Sequence, residues 1–243
     1  MTLKRTVVAE AVGTMLLLAA VVGSGIMGER LSDGNVAIAL LANTLATGAV
    51  LVALILMFGQ ISGAHFNPLV TIALAFEGRV RWKAVMPYVA AQFSGAMVGV
   101  ALAHGMFGES LFSASQHARA GSAQMLSEFV ATFGLLAVIW GCIHAGSRFT
   151  PFAVGAYITA GYWFTASTSF ANPAVTLARA FTNTFSGIRP TDVPGFVAAQ
   201  CAGAFAATLL FRWFWRETVV ERSQACDTAS LEALEEDVIT HGK

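Results

Sequence analysis

Long apolar runs separated by short polar segments make up most of this 243-residue chain. Six of the runs hold about 20 mostly apolar residues each, which is the length that an α-helix needs to cross a bilayer. They cover residues 6–27, 36–58, 84–106, 123–145, 151–169 and 194–215. The pattern therefore predicts an all-α membrane protein with six transmembrane helices.

Two further apolar segments are too short to cross a membrane. Residues 67–76 and 172–181 hold ten residues each, and a ten-residue helix is about 15 Å long. That length is half of a hydrocarbon core of about 30 Å. We expect two re-entrant half-helices that together complete one further span.

The two halves of the chain carry the same motifs in the same order. The motifs are E-x-x-x-T, N-P and A-Q-x-x-G-A, and they contain Glu10 and Glu128, Asn67 and Asn172, and Gln92 and Gln200. Each half has three spans, and an odd number of spans inserts the second half upside down. The sequence predicts inverted repeats at about 1–121 and 122–216, which place a working site at the midplane. Residues 217–243 form a polar tail, which we expect to be cytoplasmic.

An Asn-Pro pair begins each predicted half-helix. Asparagine is a favoured N-cap, and proline is favoured at the first helical position. The non-helical backbone before each pair cannot face lipid, so it must be buried in protein or line a wet cavity. We expect its carbonyl groups to line a pore for a small neutral solute. These carbonyl groups belong to His65, Phe66, Phe170 and Ala171.

The two half-helices should point their N-termini at each other. Each helix N-terminus carries about half a positive charge. Two such ends at the centre of a pore form an electrostatic barrier to cations and protons. We therefore expect a pore that excludes ions.

Composition and charge agree with a membrane location. The chain is 56% hydrophobic and 12% charged, whereas a soluble domain has about 25% charged residues. Its net charge of zero gives no electrostatic basis for binding nucleic acid. With the N-terminus inside, ten of the 14 lysines and arginines lie on the cytoplasmic side, which follows the positive-inside rule. We expect a cell (inner) membrane protein with both termini in the cytoplasm. The other four cations are Arg30, Arg119, Arg179 and Arg189.

The Asn-Pro segments resemble the two signatures of the major intrinsic proteins, which are the aquaporins and aquaglyceroporins. The first signature is residues 62–71, SGAHFNPLVT, in which Pro68 is followed by Leu69 instead of the usual alanine. The second is Asn172, Pro173 and Ala174. The resemblance covers about residues 5–216. It implies an hourglass fold with one pore per subunit, a homotetramer in the lipid bilayer, and a channel that is not an enzyme and has no cofactor.

The resemblance also assigns roles to individual residues. Glu10 and Glu128 look like the buried glutamates of the family, which brace the re-entrant loops through backbone N–H groups. Counting from the two asparagines as in the family gives an outer selectivity constriction. It consists of Thr47, Ala160, Ser169 and Val175.

Val175 departs from the family pattern, because most members have an arginine three residues after the second asparagine. The side chains of the predicted constriction are small and include no cation and no aromatic ring. We therefore expect a wide pore for water and glycerol-like solutes. Arg179 lies one helical turn further along. Residues 167–176 also resemble a bacterial branch associated with arsenic-resistance genes, which implies neutral trivalent arsenic and other metalloid acids as solutes. Val175 is equally compatible with a general pore for water and glycerol.

Other functional classes share some of these features. A coupled secondary transporter also has inverted repeats and broken helices, but it normally needs ion-binding charges within the membrane. Only Glu10 and Glu128 are candidates for such charges. An intramembrane enzyme would need paired carboxylates, a metal cluster or a nucleophile with its base, and none occurs at helical spacing. A purely structural protein would leave the repeated Asn-Pro pairs unexplained.

Overall fold

The computed structural model describes residues 1–215, and the tail predicted for residues 217–243 lies outside them. Helices account for most of this part of the chain, in keeping with the predicted fold class. In chain order they are α1 (Leu3–Leu31), α2 (Val36–Ser62), α3 (Pro68–Phe76), α4 (Trp82–Phe107), α5 (Ser122–His144), α6 (Thr150–Phe164), α7 (Pro173–Arg179) and α8 (Pro190–Trp215). The last helix opens with a 3-10 turn at Pro190–Asp192.

Five of these helices, α1, α2, α4, α5 and α8, are long and apolar enough to cross a membrane. Helix α6 has only 15 residues, or about 22 Å, and it ends five residues before the predicted limit at residue 169. It stops because Thr165 is extended, with φ −112° and ψ 138°. Thr168 and Ser169 then adopt left-handed conformations with φ of 63° and 53°. The run at 151–169 is therefore a membrane helix followed by part of a re-entrant loop.

The two half-helices begin where the Asn-Pro pairs predict. The Asn67 side chain accepts a hydrogen bond from the backbone N–H of Leu69, and α3 then runs for nine residues. Asn172 likewise accepts from the N–H groups of Ala174 and Val175, and α7 runs for seven residues. Neither helix is long enough to cross the membrane alone.

Glycines set the closest helix crossings. In α4, a Cβ atom on Gly95 would lie less than 3.0 Å from the backbone oxygen of Ala11 in α1. Gly203 in α8 meets the backbone of Phe129 in α5 in the same way. Small residues allow such close backbone approach between membrane helices. The two close crossings occupy corresponding positions in the two halves of the chain.

Each half-helix packs its apolar side chains against the opposite half of the chain. Val70 and Leu74 of α3 lie in a buried cluster with Leu136 of α5. In the other cluster, Ala178 of α7 packs with Val22 of α1. The two repeats are therefore interlocked at their centre, which brings the starts of α3 and α7 together.

Candidate pore

The two asparagines bind each other's loops at the point where the half-helices meet. Asn67 Nδ2 donates to the backbone oxygen of Ala171 at 2.8 Å. Asn172 Nδ2 donates to the backbone oxygen of Phe66, also at 2.8 Å. A primary amide has two N–H groups, and no second acceptor binds either amide within residues 1–215. Each asparagine therefore keeps one N–H group for a solute.

Glu10 holds the first loop from behind. It is fully buried, and its Oε1 accepts from Ser62 Oγ at 2.6 Å and from the backbone N–H of His65 at 3.0 Å. Its Oε2 accepts from the backbone N–H of Phe66 at 2.7 Å and from Gln92 Nε2 at 2.8 Å. These four bonds compensate for the loss of hydration of a buried carboxylate.

Glu128 makes the corresponding contacts to the second loop. Its Oε1 accepts from the backbone N–H of Phe170 at 2.9 Å, and its Oε2 accepts from that of Ala171 at 2.9 Å. Gln200 Nε2 donates to the same Oε2 at 2.5 Å and to Thr176 Oγ1 at 2.8 Å. Each loop is thus tied to a glutamate and a glutamine from its own repeat.

The loop backbone needs this support because it is locally strained. Phe66 and Ala171, each directly before an asparagine, both have a φ of 49°. Non-glycine residues in this left-handed region cost about 1–3 kcal/mol each. The conformation presents the Phe66 and Ala171 carbonyl oxygens to the asparagines of the opposite repeat. The hydrogen bonds to the glutamates hold it in place.

A cavity of ≈ 200 Å³ runs past these groups. A water molecule in the liquid takes up about 30 Å³, so several can fit. The predicted residues that line the cavity are Thr47, His65, Phe66, Asn67, Ser169, Phe170, Ala171, Asn172 and Val175. The predicted residues that are buried behind the lining are Glu10, Pro68, Leu69, Glu128, Pro173 and Ala174.

The assignment of Ala160 to the constriction is wrong. Ala160 is exposed on the outer surface of α6. The cavity is lined instead by Val154, Ile158 and Tyr162, which are spaced four residues apart on one face. At 100° per residue, Ala160 lies about 200° around the helix from Tyr162. The four-residue spacing puts Tyr162 on the same face as Val154 and Ile158, but it does not mark that face as the inner one.

Two lining residues bring an aromatic ring and a cation to the part of the cavity where we expected neither. Tyr162 Oη lies 3.3 Å from Thr47 Oγ1, and either group can donate. Arg179 is 2% exposed, and its guanidinium carbon lies 3.4 Å from the centre of the Phe170 ring. Arg179 follows Val175 by four residues, so both side chains lie on one face of α7.

Arg119, from the loop between α4 and α5, binds two backbone segments beside the Phe170 ring, at the end of the cavity where Arg179 lies. Its Nε donates to the backbone oxygen of Gly187 at 2.8 Å, and its Nη1 donates to that of Ser167 at 3.2 Å. Its guanidinium carbon lies 5.1 Å from the centre of the Phe170 ring. Burial lowers the pKa of Arg119 from its ordinary value, and the negative charge of Glu128 opposes this effect. An arginine nevertheless stays charged at neutral pH.

Nothing in this part of the chain resembles a metal centre. Within residues 1–215, no three His, Cys, Asp or Glu side chains lie close enough together to hold a metal ion. The polar groups that face the cavity are amides, hydroxyls, backbone carbonyls, one guanidinium and the imidazole of His65, which contacts the hydroxyl of Thr71 behind the lining. These groups exchange hydrogen bonds with a passing solute and offer no nucleophile activated by a base.

Several known proteins are similar to this chain in sequence. The sequence model described as "Major intrinsic protein" matches residues 1–171 and 149–239. Aquaglyceroporin AqpS of Rhizobium meliloti is 57% identical over 211 residues, which are 87% of this chain and 90% of that protein. Aquaporin NIP1-3 of Oryza sativa subsp. japonica is 33% identical over 216 residues, which cover 84% of this chain and 73% of that protein.

A solved structure has the same architecture. The X-ray structure of the aquaglyceroporin from Plasmodium falciparum matches with a TM-score of 0.68, over 90% of this chain and 97% of that chain. At 20% sequence identity this likeness concerns the fold. It confirms the predicted fold class, and the family model and the sequence relatives confirm the resemblance to the major intrinsic proteins. The chain belongs to the major intrinsic protein family of membrane channels and is not an enzyme.

Proposed function

We propose that this chain is a passive channel for water and small neutral polar solutes of about the size of glycerol. The observation that carries the proposal is the crossed pair of hydrogen bonds between Asn67 and Ala171 and between Asn172 and Phe66. These bonds leave amide N–H groups beside a continuous cavity. Carbonyl oxygens and amides in a row can replace the hydration of a neutral solute, whereas an ion would lose more hydration than they return.

Val175 supports a solute larger than water. A valine at this point leaves space where an arginine would project into the cavity, and its neighbours Thr47 and Ser169 are small. The similarity to a protein named aquaglyceroporin AqpS points in the same direction. Neutral trivalent arsenic and related metalloid acids resemble glycerol in size and hydroxyl pattern, so we include them among the proposed solutes.

The two buried glutamates argue against coupled transport, the alternative function. Both oxygens of Glu10 and both oxygens of Glu128 already accept hydrogen bonds from the loops and from a glutamine. A coupling ion bound at either carboxylate would have to displace these bonds. The glutamates therefore serve the loops as structural acceptors.

The same proposal covers assembly and orientation. We propose that residues 1–216 form the channel as two inverted repeats, that four copies of the 25.5-kDa chain assemble, and that both termini are cytoplasmic in the inner membrane. The apolar side chains on the outer faces of the helices are suited to contact with lipid and with neighbouring subunits. Light scattering of the purified protein in detergent measures the number of copies. Labelling of a cysteine introduced at Thr2 measures the side of the N-terminus.

The test of the function is light scattering from liposomes that contain the protein, after addition of a glycerol gradient. We expect shrinkage from water loss and then re-swelling that is faster than in empty liposomes. Shrinkage without faster re-swelling would make the chain a water pore and contradict the proposed solute size. Glycerol flux that saturates and depends on an ion gradient would establish the coupled transporter instead.

A further inference from the structure

We propose that Arg179 is the residue that keeps cations out of the outer part of the pore. This inference rests on the proposed channel function. It adds a charged side chain to the barrier that we expect from the N-terminal ends of the two half-helices. Arg179 lies at the end of α7 and lines the cavity together with Tyr162, Ser169 and Val175.

The guanidinium group of Arg179 is shielded from bulk water. The residue is 2% exposed, and its guanidinium lies on the ring of Phe170. A charge in such a site acts more strongly on a nearby ion than a surface charge does, because less water screens it.

No carboxylate neutralises Arg179 directly. Within residues 1–215, Arg179 makes no ion pair, and its Nε donates to the backbone oxygen of Ser186. Its two terminal nitrogens have no protein acceptor in the same part of the chain. They are therefore available to donate hydrogen bonds to water or to the hydroxyl groups of a solute.

A second guanidinium raises the local positive charge. Arg119 lies over the same Phe170 ring. Glu128 is the carboxylate that acts on both arginines, and it is occupied by the N–H groups of the second loop. Asp192, which accepts from the backbone N–H of Arg119, is paired with Arg189. Arg119 and Arg179 against Glu128 therefore leave about one net positive charge at this end of the pore.

Arg179 also has a structural contact, so the experiment must separate charge from loop position. We would place wild type, Arg179→Met and Arg179→Lys in liposomes and measure K⁺ leak, proton leak and water permeability in the same preparations. The measured quantity is the ratio of cation leak to water permeability. This ratio corrects for protein that folds or inserts poorly.

We expect Arg179→Met to raise this ratio about thirtyfold, the Boltzmann factor for one unit charge about 8 Å from the ion at an effective dielectric of about 20. Arg179→Lys keeps the charge, so its ratio of cation leak to water permeability should equal that of wild type. The control is Arg30→Met, since Arg30 is an exposed arginine paired with Glu109 outside the cavity. Its ratio should not change.

A double variant tests whether the charge itself is responsible. Val175→Arg combined with Arg179→Met moves the cation one turn back along the same face of α7. We expect the ratio to return to the wild-type value and glycerol flux to fall. An unchanged ratio in Arg179→Met, or a leak that the second substitution does not reverse, would overturn the assignment. If liposomes with the wild-type protein were no more permeable to water and glycerol than empty liposomes, the proposed function itself would be refuted.

Discussion

Replacing Glu128 with glutamine removes one charge from the centre of the second repeat and leaves the shape of the side chain nearly unchanged. The carboxylate is fully buried and has three donors: the backbone N–H groups of Phe170 and Ala171 and the amide of Gln200. A glutamine side chain has one oxygen and one NH₂ group. Phe170 and Ala171 bond different oxygens, so one of their two N–H groups must face the new NH₂ group, whichever way the two amide side chains are turned.

The size of the effect follows from these contacts. A hydrogen bond to a charged group contributes about 1.5–3 kcal/mol and a neutral one about 0.5–1.5 kcal/mol, while a buried donor without a partner costs about 1–3 kcal/mol. The two bonds that remain change from a charged to a neutral acceptor, at about 1 kcal/mol each, and the unpaired backbone N–H group costs about 2–3 kcal/mol. The total loss is about 4–5 kcal/mol.

The assay is the apparent unfolding midpoint in detergent together with water permeability in liposomes. For a chain of this size, about 1 kcal/mol shifts the midpoint by about 2–4 °C, so we expect a decrease of about 8–20 °C. Water permeability per inserted protein should also fall, because either Phe170 or Ala171 would lose a bond that holds the second loop in place. The matched control is Glu29→Gln, at an exposed glutamate of α1.

Two results would refute this reasoning. A midpoint within about 2 °C of wild type would mean that the charge of Glu128 does not support the loop. If the midpoint of Glu29→Gln fell as far as that of Glu128→Gln, the effect would come from net charge and not from the hydrogen bonds. The equivalent change at Glu10 should be at least as large, since its carboxylate has four donors.

The remaining predictions concern the pore and the helix crossings. Val175→Arg should reduce glycerol flux more than water flux in the liposome assay, and equal loss of both would contradict the placement of Val175 in the solute path. Gly95→Ala should lower the unfolding midpoint, because its Cβ would clash with the backbone of Ala11. Gly59→Ala, where no atom lies within 4 Å of the added Cβ, should leave the midpoint unchanged or raise it, since alanine favours a helix by about 0.5–1 kcal/mol. A similar decrease for both glycine variants would show that the close crossing does not matter.

Local physical chemistry explains why so much of the architecture is predictable from the sequence. A bilayer leaves no water for unpaired backbone groups, so the length of an apolar run predicts a spanning helix or a half-helix. Asn67 and Asn172 begin α3 and α7 because capping depends on a few adjacent residues. The repeated motifs then imply that the two halves meet. None of these inferences requires knowledge of how one helix is rotated against another.

The rotation of α6 and the direction of Arg179 depended on the tertiary structure. Helix α6 is apolar on nearly all sides, so no amphipathic pattern marks its inner face. Its packing against Gly48 and Val52 of α2, at Gly155, turns Tyr162 inward and Ala160 outward. Arg179 likewise points along the cavity because the Phe170 ring and the Ser186 carbonyl receive it. The sequence determined which backbone segments meet at the midplane, and contacts between distant residues decided which side chains line the pore.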